Sequence, residues 1–256
     1  MALNPSGAIS LGGPSTGQSI ALELALSPTA AISLNGTDVR TLAGVASGVI
    51  IMPTNFWGKS NAPPETQKAI FGYGVNPTIL QSMTNLVSNT GVVASDTPGV
   101  GTVRSGLAAA GYGGDKALFG YGSTPARQSM TNLVSNTGVV STDTPGVGTA
   151  RSLLAATGYG GDKALFGYGS TPTRLATTNL VSNTGVVSTD TPGVGTARSS
   201  LAAAGYEGDK ALFGYGVNPL LQSMTNKVSN TGVVASDTPG VGTARLGLAA
   251  AGYSLT

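Results

Sequence analysis

An aspartate and an arginine stand eight residues apart four times in this sequence, at Asp96/Arg104, Asp143/Arg151, Asp190/Arg198 and Asp237/Arg245. A turn, Asp-Thr-Pro-Gly-Val-Gly, separates the members of each pair. Folding back over that turn predicts a charge-assisted, bidentate ion pair. Such pairs have two readings. They are salt bridges or turn caps at the junctions of a repeated architecture, or four equivalent anion or metal sites. Catalysis needs one asymmetric constellation with distinct roles, and four identical copies argue against it.

Other residue types narrow the chemistry further. The chain has no His and no Cys, which removes imidazole triads, thiolate nucleophiles and structural zinc. Glu23, Glu65 and Glu207 are the only glutamates, and no carboxylate pair for glycoside cleavage is recognisable. Asp115, Asp162 and Asp209 sit in Gly-Asp turns, where one carboxylate each falls short of the six to eight oxygens calcium needs. Gly58-Lys59-Ser60 mimics the end of a phosphate loop, but Pro53 stands where that loop would begin. No cofactor, no metal and no enzymatic activity are expected.

The aromatic residues Phe71/Tyr73, Phe119/Tyr121, Phe166/Tyr168 and Phe213/Tyr215 alternate along predicted strands. Alternation places the members of each pair on one face. Packing between repeats is one use of that face, and an aromatic ring for sugars is another. The stretches that follow, at 75–80, 123–127, 170–176 and 217–221, vary most between repeats. Two of them carry Ile79/Leu80 and Leu220/Leu221, and two carry Arg127 and Arg174. Loops on a rigid scaffold are where binding sits, so these six residues are candidate interaction points. Apolar tips suit protein–protein docking as well as sugar.

These residues belong to four units of 47 residues: 68–115 (one residue longer), 116–162, 163–209 and 210–256. Each reads K-A-[IL]-F-G-Y-G, a variable stretch, T-N-[LK]-V-S-N-T-G-V-V, D-T-P-G-V-G-T-[AV]-R and L-A-A-[AT]-G-Y. Gly-Gly-Asp or Glu-Gly-Asp joins L-A-A-A-G-Y to K-A-L-F-G-Y-G as a hairpin. Breakers divide the rest into short Val-, Leu- and Thr-rich runs without a helical period. Four short strands per unit is the size of a propeller blade. The array opens on the second half of a hairpin and closes on the first half. Pairing 68–74 with 248–253 would therefore close a four-bladed β-propeller and remove two raw edges. The small-residue run L-A-A-A would lie innermost.

The fold class expected is mainly β, with a small mixed N-terminal segment at 1–60 and a linker at 61–67. Residues 20–26 predict an apolar helix with Ser19 or Thr16 as cap and Pro28 as stop. Asp38 predicts the cap of a short helix, 39–43, ended by Gly44. Residues 32–34 and 49–52 read as strands. The charged fraction is 9%, the net charge +2 and the hydrophobic fraction 40%. No run reaches the roughly 20 apolar residues of a membrane helix, the first residues lack a signal peptide's pattern, and no basic nucleic-acid footprint is visible.

Two resemblances add to this. The pattern R-x-x-L-A-A-A-G-Y-G-G-D-K-A-L-F-G-Y-G resembles the kelch repeat, although Tyr73, Tyr121, Tyr168 and Tyr215 split the glycine pair and the kelch tryptophan is missing. The segments A-I-S-L-G-G, Q-S-I-A-L-E-L, I-S-L-N-G-T-D-V-R-T-L-A-G-V-A-S-G and N-F-W-G-K-S look like an N-terminal module of tailed-phage virion proteins. T-N-L-V-S-N-T-G-V-V is similar to repeats in such proteins, those of cyanophages included. The resemblance implies a virion structural protein of the tail, baseplate or fibre, made in the host cytoplasm. It implies a multi-copy or homo-oligomeric state and other virion proteins as partners. A receptor-binding protein for host surface glycans is the alternative.

Overall fold

The computed structural model describes residues 19–26, 37–44 and 68–253. The chain divides into two compact units, Met1–Gln67 and Lys68–Thr256. The second begins at the first repeat.

In the first unit, α1 spans Ile20–Glu23 and α2 spans Thr37–Ala43. The apolar helix expected over 20–26 stops early, with Ala25 in the left-handed region at φ 57°. Helix α2 starts at Thr37, which puts Asp38 within its first turn rather than before it. An acid there still suits the positive end of the helix. Val39, Leu42 and Ala43 are buried. Gly44, at φ 69°, ends α2 as expected and donates its N–H to Thr41 O at 3.1 Å. The strands expected at 32–34 and 49–52, the Thr16 cap and the linker lie outside the described residues.

The second unit is built of short antiparallel strands. β1 (Ala69–Asn76) pairs with β2 (Ile79–Val87). β3 (Ala108–Tyr112) and β4 (Lys116–Gly120) form the hairpin predicted around Gly-Gly-Asp, with Tyr112 opposite Lys116. A small hairpin, β5 (Ser123–Thr124) and β6 (Ala126–Arg127), precedes β7 (Thr131–Val134), which adds to β4. β8 (Ala155–Tyr159), β9 (Lys163–Gly167) and β10 (Thr178–Val181) repeat that sheet. So do β11 (Ala202–Tyr206), β12 (Lys210–Gly214) and β15 (Thr225–Val228), with β13 (Val217–Asn218) and β14 (Leu220–Leu221) as the small hairpin. The fourth strand expected per unit is reduced to isolated bridges such as Val134 with Val140 and Thr131 with Thr144. The proline and glycines of the following turn prevent a longer ladder.

The expected closing strand pair is not formed. β1 pairs with β2 alone, and residues 248–253 carry no strand. β3 lies against β8 and β8 against β11, so the small-residue strands of consecutive sheets approach one another. Backbone hydrogen bonds tie one sheet to the next. Leu153 N–H donates to Gly106 O at 2.8 Å, Ser200 to Leu153 at 2.9 Å and Gly247 to Ser200 at 2.9 Å. All four residues have positive φ, from 53° to 65°.

Candidate functional site

Most of the recurrent Asp, Arg, Phe and Tyr residues converge on the three seams between consecutive sheets. Arg151 shows how one seam is built. Its side chain is fully buried, with the guanidinium 4.3 Å from the centre of the Tyr121 ring. One terminal nitrogen donates to Thr149 O at 3.1 Å, and the other donates to Asn179 Oδ1 at 2.7 Å in the next sheet. Arg104 and Arg198 make the same contacts to Asn132 and Asn226. Their Nε atoms are buried without a hydrogen-bond partner. A cation on an aromatic face, with its terminal nitrogens satisfied, keeps a buried charge tolerable.

The Asp/Arg pairing differs from the one expected across the turn. Arg104 meets Asp143 at 3.7 Å, Arg151 meets Asp190 at 3.9 Å and Arg198 meets Asp237 at 3.6 Å. Each arginine therefore uses the aspartate of the following repeat, not the one eight residues before it. The turn is occupied otherwise: Asp143 caps the Gly101-Thr102 bend of the preceding repeat. It accepts from Thr102 N at 3.0 Å, Thr102 Oγ1 at 2.7 Å and Asn132 Nδ2 at 2.9 Å. A side chain on Gly101 would collide with Asp143 and Asn132, and its φ of +76° also calls for glycine. Burial pushes the Asp143 carboxyl up, but the bonds from Thr102 and Asn132 outweigh it and hold the group below its usual range. Asp190 and Asp237 are lowered by the same balance. These carboxylates take donors from the backbone and side chains of the preceding repeat. Among the described residues, no group of three acidic side chains stands together in a metal-holding arrangement.

The aromatic pairs do not share a face. Phe119 packs on Tyr73 of the preceding sheet, ring centres 5.1 Å apart, whereas Tyr121 packs on Phe166 of the following one at 5.0 Å. Tyr121 departs from strand alternation because its φ is +66°. Tyr73, Tyr168 and Tyr215 share that left-handed conformation. The phenol of Tyr121 donates to Val147 O at 3.1 Å. Each Phe also rests on a glycine: a methyl on Gly120 would lie 2.5 Å from Phe166, and one on Gly167 would lie 2.5 Å from Phe213. Tyr121 and Tyr168 are fully buried, and burial first of all drives both phenols up to about 12. No sugar can stack on rings so enclosed.

Two of the variable stretches, 123–127 and 170–176, come together. Arg127 donates from Nε to Ser170 O at 2.9 Å, which joins the small hairpins of successive sheets. Arg174, one repeat on, is half-buried, and its Nε has no hydrogen-bond partner. Ile79, Leu220 and Leu221 are exposed, and Leu80 is half-exposed. Asp115 bonds Lys116 and Asn136 at its hairpin, as its turn position predicted. Sequence reasoning missed the seam asparagines, Asn132, Asn179 and Asn226, and the threonines Thr102, Thr149 and Thr196. Their recurrence in every repeat, within T-N-[LK]-V and G-T-[AV]-R, was the available signal.

No protein-family model matches the chain, and no curated protein sequence does. No helix among the described residues is long and apolar enough to cross a membrane.

Proposed function

We propose that this chain is a non-enzymatic structural protein of a tailed-phage virion, in the tail, baseplate or fibre. Its first 60 residues serve assembly, and the repeats serve packing or display. Each three-stranded sheet acts as a propeller-like blade. The observation that carries the reading is the fate of the recurrent polar and aromatic residues: at three successive seams Asp, Arg, Asn, Phe and Tyr are consumed in contacts between sheets. A chain whose repeated chemistry is spent on its own joints is a scaffold. The outward surface supports packing as well. Val92, Val139, Val186 and Val233 form an exposed apolar position in every repeat, each 65–66% exposed. Together with the resemblance of the N-terminal segments, this favours a particle component that works beside other virion proteins. The glycan-binding alternative loses Phe119, Tyr121, Phe166, Tyr168 and Phe213 to the seams and keeps the exposed Phe71 and the loop tips.

Mass spectrometry of density-purified particles of the encoding virus tests the proposal. The expected result is this chain at a fixed stoichiometry to the tail proteins. Its recovery only in the soluble lysate would sink the idea.

A further inference from the structure

We propose that copies of this chain join head to tail through a fourth seam, the last sheet of one copy receiving the first sheet of the next. Three internal seams define what each sheet offers. The forward face presents a glycine seat, a left-handed tyrosine and an arginine. The backward face presents a phenylalanine, an asparagine and an aspartate. At the end of the array the forward face is complete and no described residue occupies it: Gly214 meets only Thr225 among the described residues, where Gly120 and Gly167 each carry a phenylalanine. Arg245 already lies 4.2 Å from the Tyr215 ring, the pose of the buried arginines, yet it is exposed.

At the start of the array the backward face is equally complete. Phe71 is 62% exposed, whereas Phe119, Phe166 and Phe213 are at most 4% exposed. Asp96 is exposed and already holds Asn85 Nδ2 at 2.8 Å, as Asp143 holds Asn132. The two faces thus match in shape and in charge, Arg245 toward Asp96 and Phe71 toward Gly214 and Tyr215.

Two further observations, independent of these side chains, point the same way. The first sheet has two strands where the others have three. The missing strand is the L-A-A-A-G-Y run, and a spare copy of it, 248–253, stands without a partner strand at the other end, with Tyr253 88% exposed. By the register of β3 on β4, Ala249 of one copy pairs with Gly72 of the next and Gly252 with Ala69. Such strand addition gives main-chain hydrogen bonds as well as side-chain packing. The loop tips also match. Arg127 reaches Ser170 across an interior seam. The equivalent meeting at the fourth seam is Leu221 with Val75, both apolar and both exposed. A contact of this kind is heterologous and propagates into rings or filaments.

Sedimentation velocity on the full chain tests this with two variants. Asp96→Arg spoils only the backward face, setting a cation against Arg245. Ala250→Pro with Ala251→Pro spoils only the forward face, since proline removes ladder donors. All these positions are exposed in the single chain, and circular dichroism checks that each variant folds. The wild type should sediment as multiples of one chain, growing with concentration. Each variant alone should lose that growth, while an equimolar mixture should yield a one-to-one dimer and nothing larger. A monomer at every concentration, a mixture that stays monomeric, or association that survives both variants overturns the proposal. The second of these outcomes, with a variant less stable than wild type, would mean that the chain closes on itself.

Discussion

Arg151 and Asp190 lie 3.9 Å apart across a seam, while Asp143, eight residues before Arg151, serves Arg104 instead. One arginine therefore fastens its own repeat to the next. Replacing Arg151 with Ala should cost about 3 kcal/mol, because it leaves Asp190 and Asn179 short of a partner in a buried seam. Arg245→Ala, made in the dilute chain, should cost under about 1 kcal/mol, since that side chain is exposed. Urea unfolding followed by far-ultraviolet circular dichroism separates the two; equal losses would contradict the seam assignment.

Acid should loosen the seams. Asp143, Asp190 and Asp237 titrate below the usual 3.8 when folded. Their stabilisation is complete above about pH 3.8 and is lost as pH falls through the lower folded value. The expected melting curve is flat down to pH 4 and then steep. Asp190→Asn should soften the steep part, and an unchanged acid limb in that variant would count against the linkage.

Alkali acts through the tyrosines. Tyr121 and Tyr168 ionise near 12 in the folded protein because burial disfavours the phenolate. Raised folded values mean stability that is whole below pH 10 and lost as pH climbs toward 12. The loss is on the order of 2–3 kcal/mol for each phenol. Ultraviolet titration should show these two phenols ionising last, together with unfolding. Tyr121→Phe should remove the late step for one phenol and lose about 1 kcal/mol with the bond to Val147.

Glycine seats should tolerate no methyl. Gly120→Ala sets a carbon 2.5 Å from the Phe166 ring, and overpacking of this kind costs about 1–3 kcal/mol. Gly214→Ala meets only Thr225 at 3.2 Å and should cost less within one chain. Thermal melts of both variants, at a concentration where the chain is monomeric, make the comparison.

Much of this architecture was legible in the sequence. The hairpin at Gly113-Gly114-Asp115 followed from turn chemistry between two apolar runs. The repeat boundaries followed from recurrence, and the start of the second unit at Lys68 agrees with them. What escaped was the direction of each contact. Asp143 stands nearer in sequence to Arg151 than to Arg104, so local reasoning paired the wrong partners. Strand alternation put Phe119 and Tyr121 on one face, and a left-handed φ at Tyr121 turned the tyrosine toward the other neighbour. Neither spacing nor propensity reports a backbone twist that only a neighbouring sheet stabilises. The closing strand pair expected between 68–74 and 248–253 is not formed, and repeat phase alone does not report whether the ends of an array meet.

The two faces of every sheet are mates, and this has a consequence for the gene. With the head-to-tail joint proposed above, unequal exchange between near-identical repeats would remove or add one whole sheet, yet the chain that results would still end in a matching tongue and groove. Its length can drift over generations as a ruler gains or loses graduations, while every junction keeps the fit it had before.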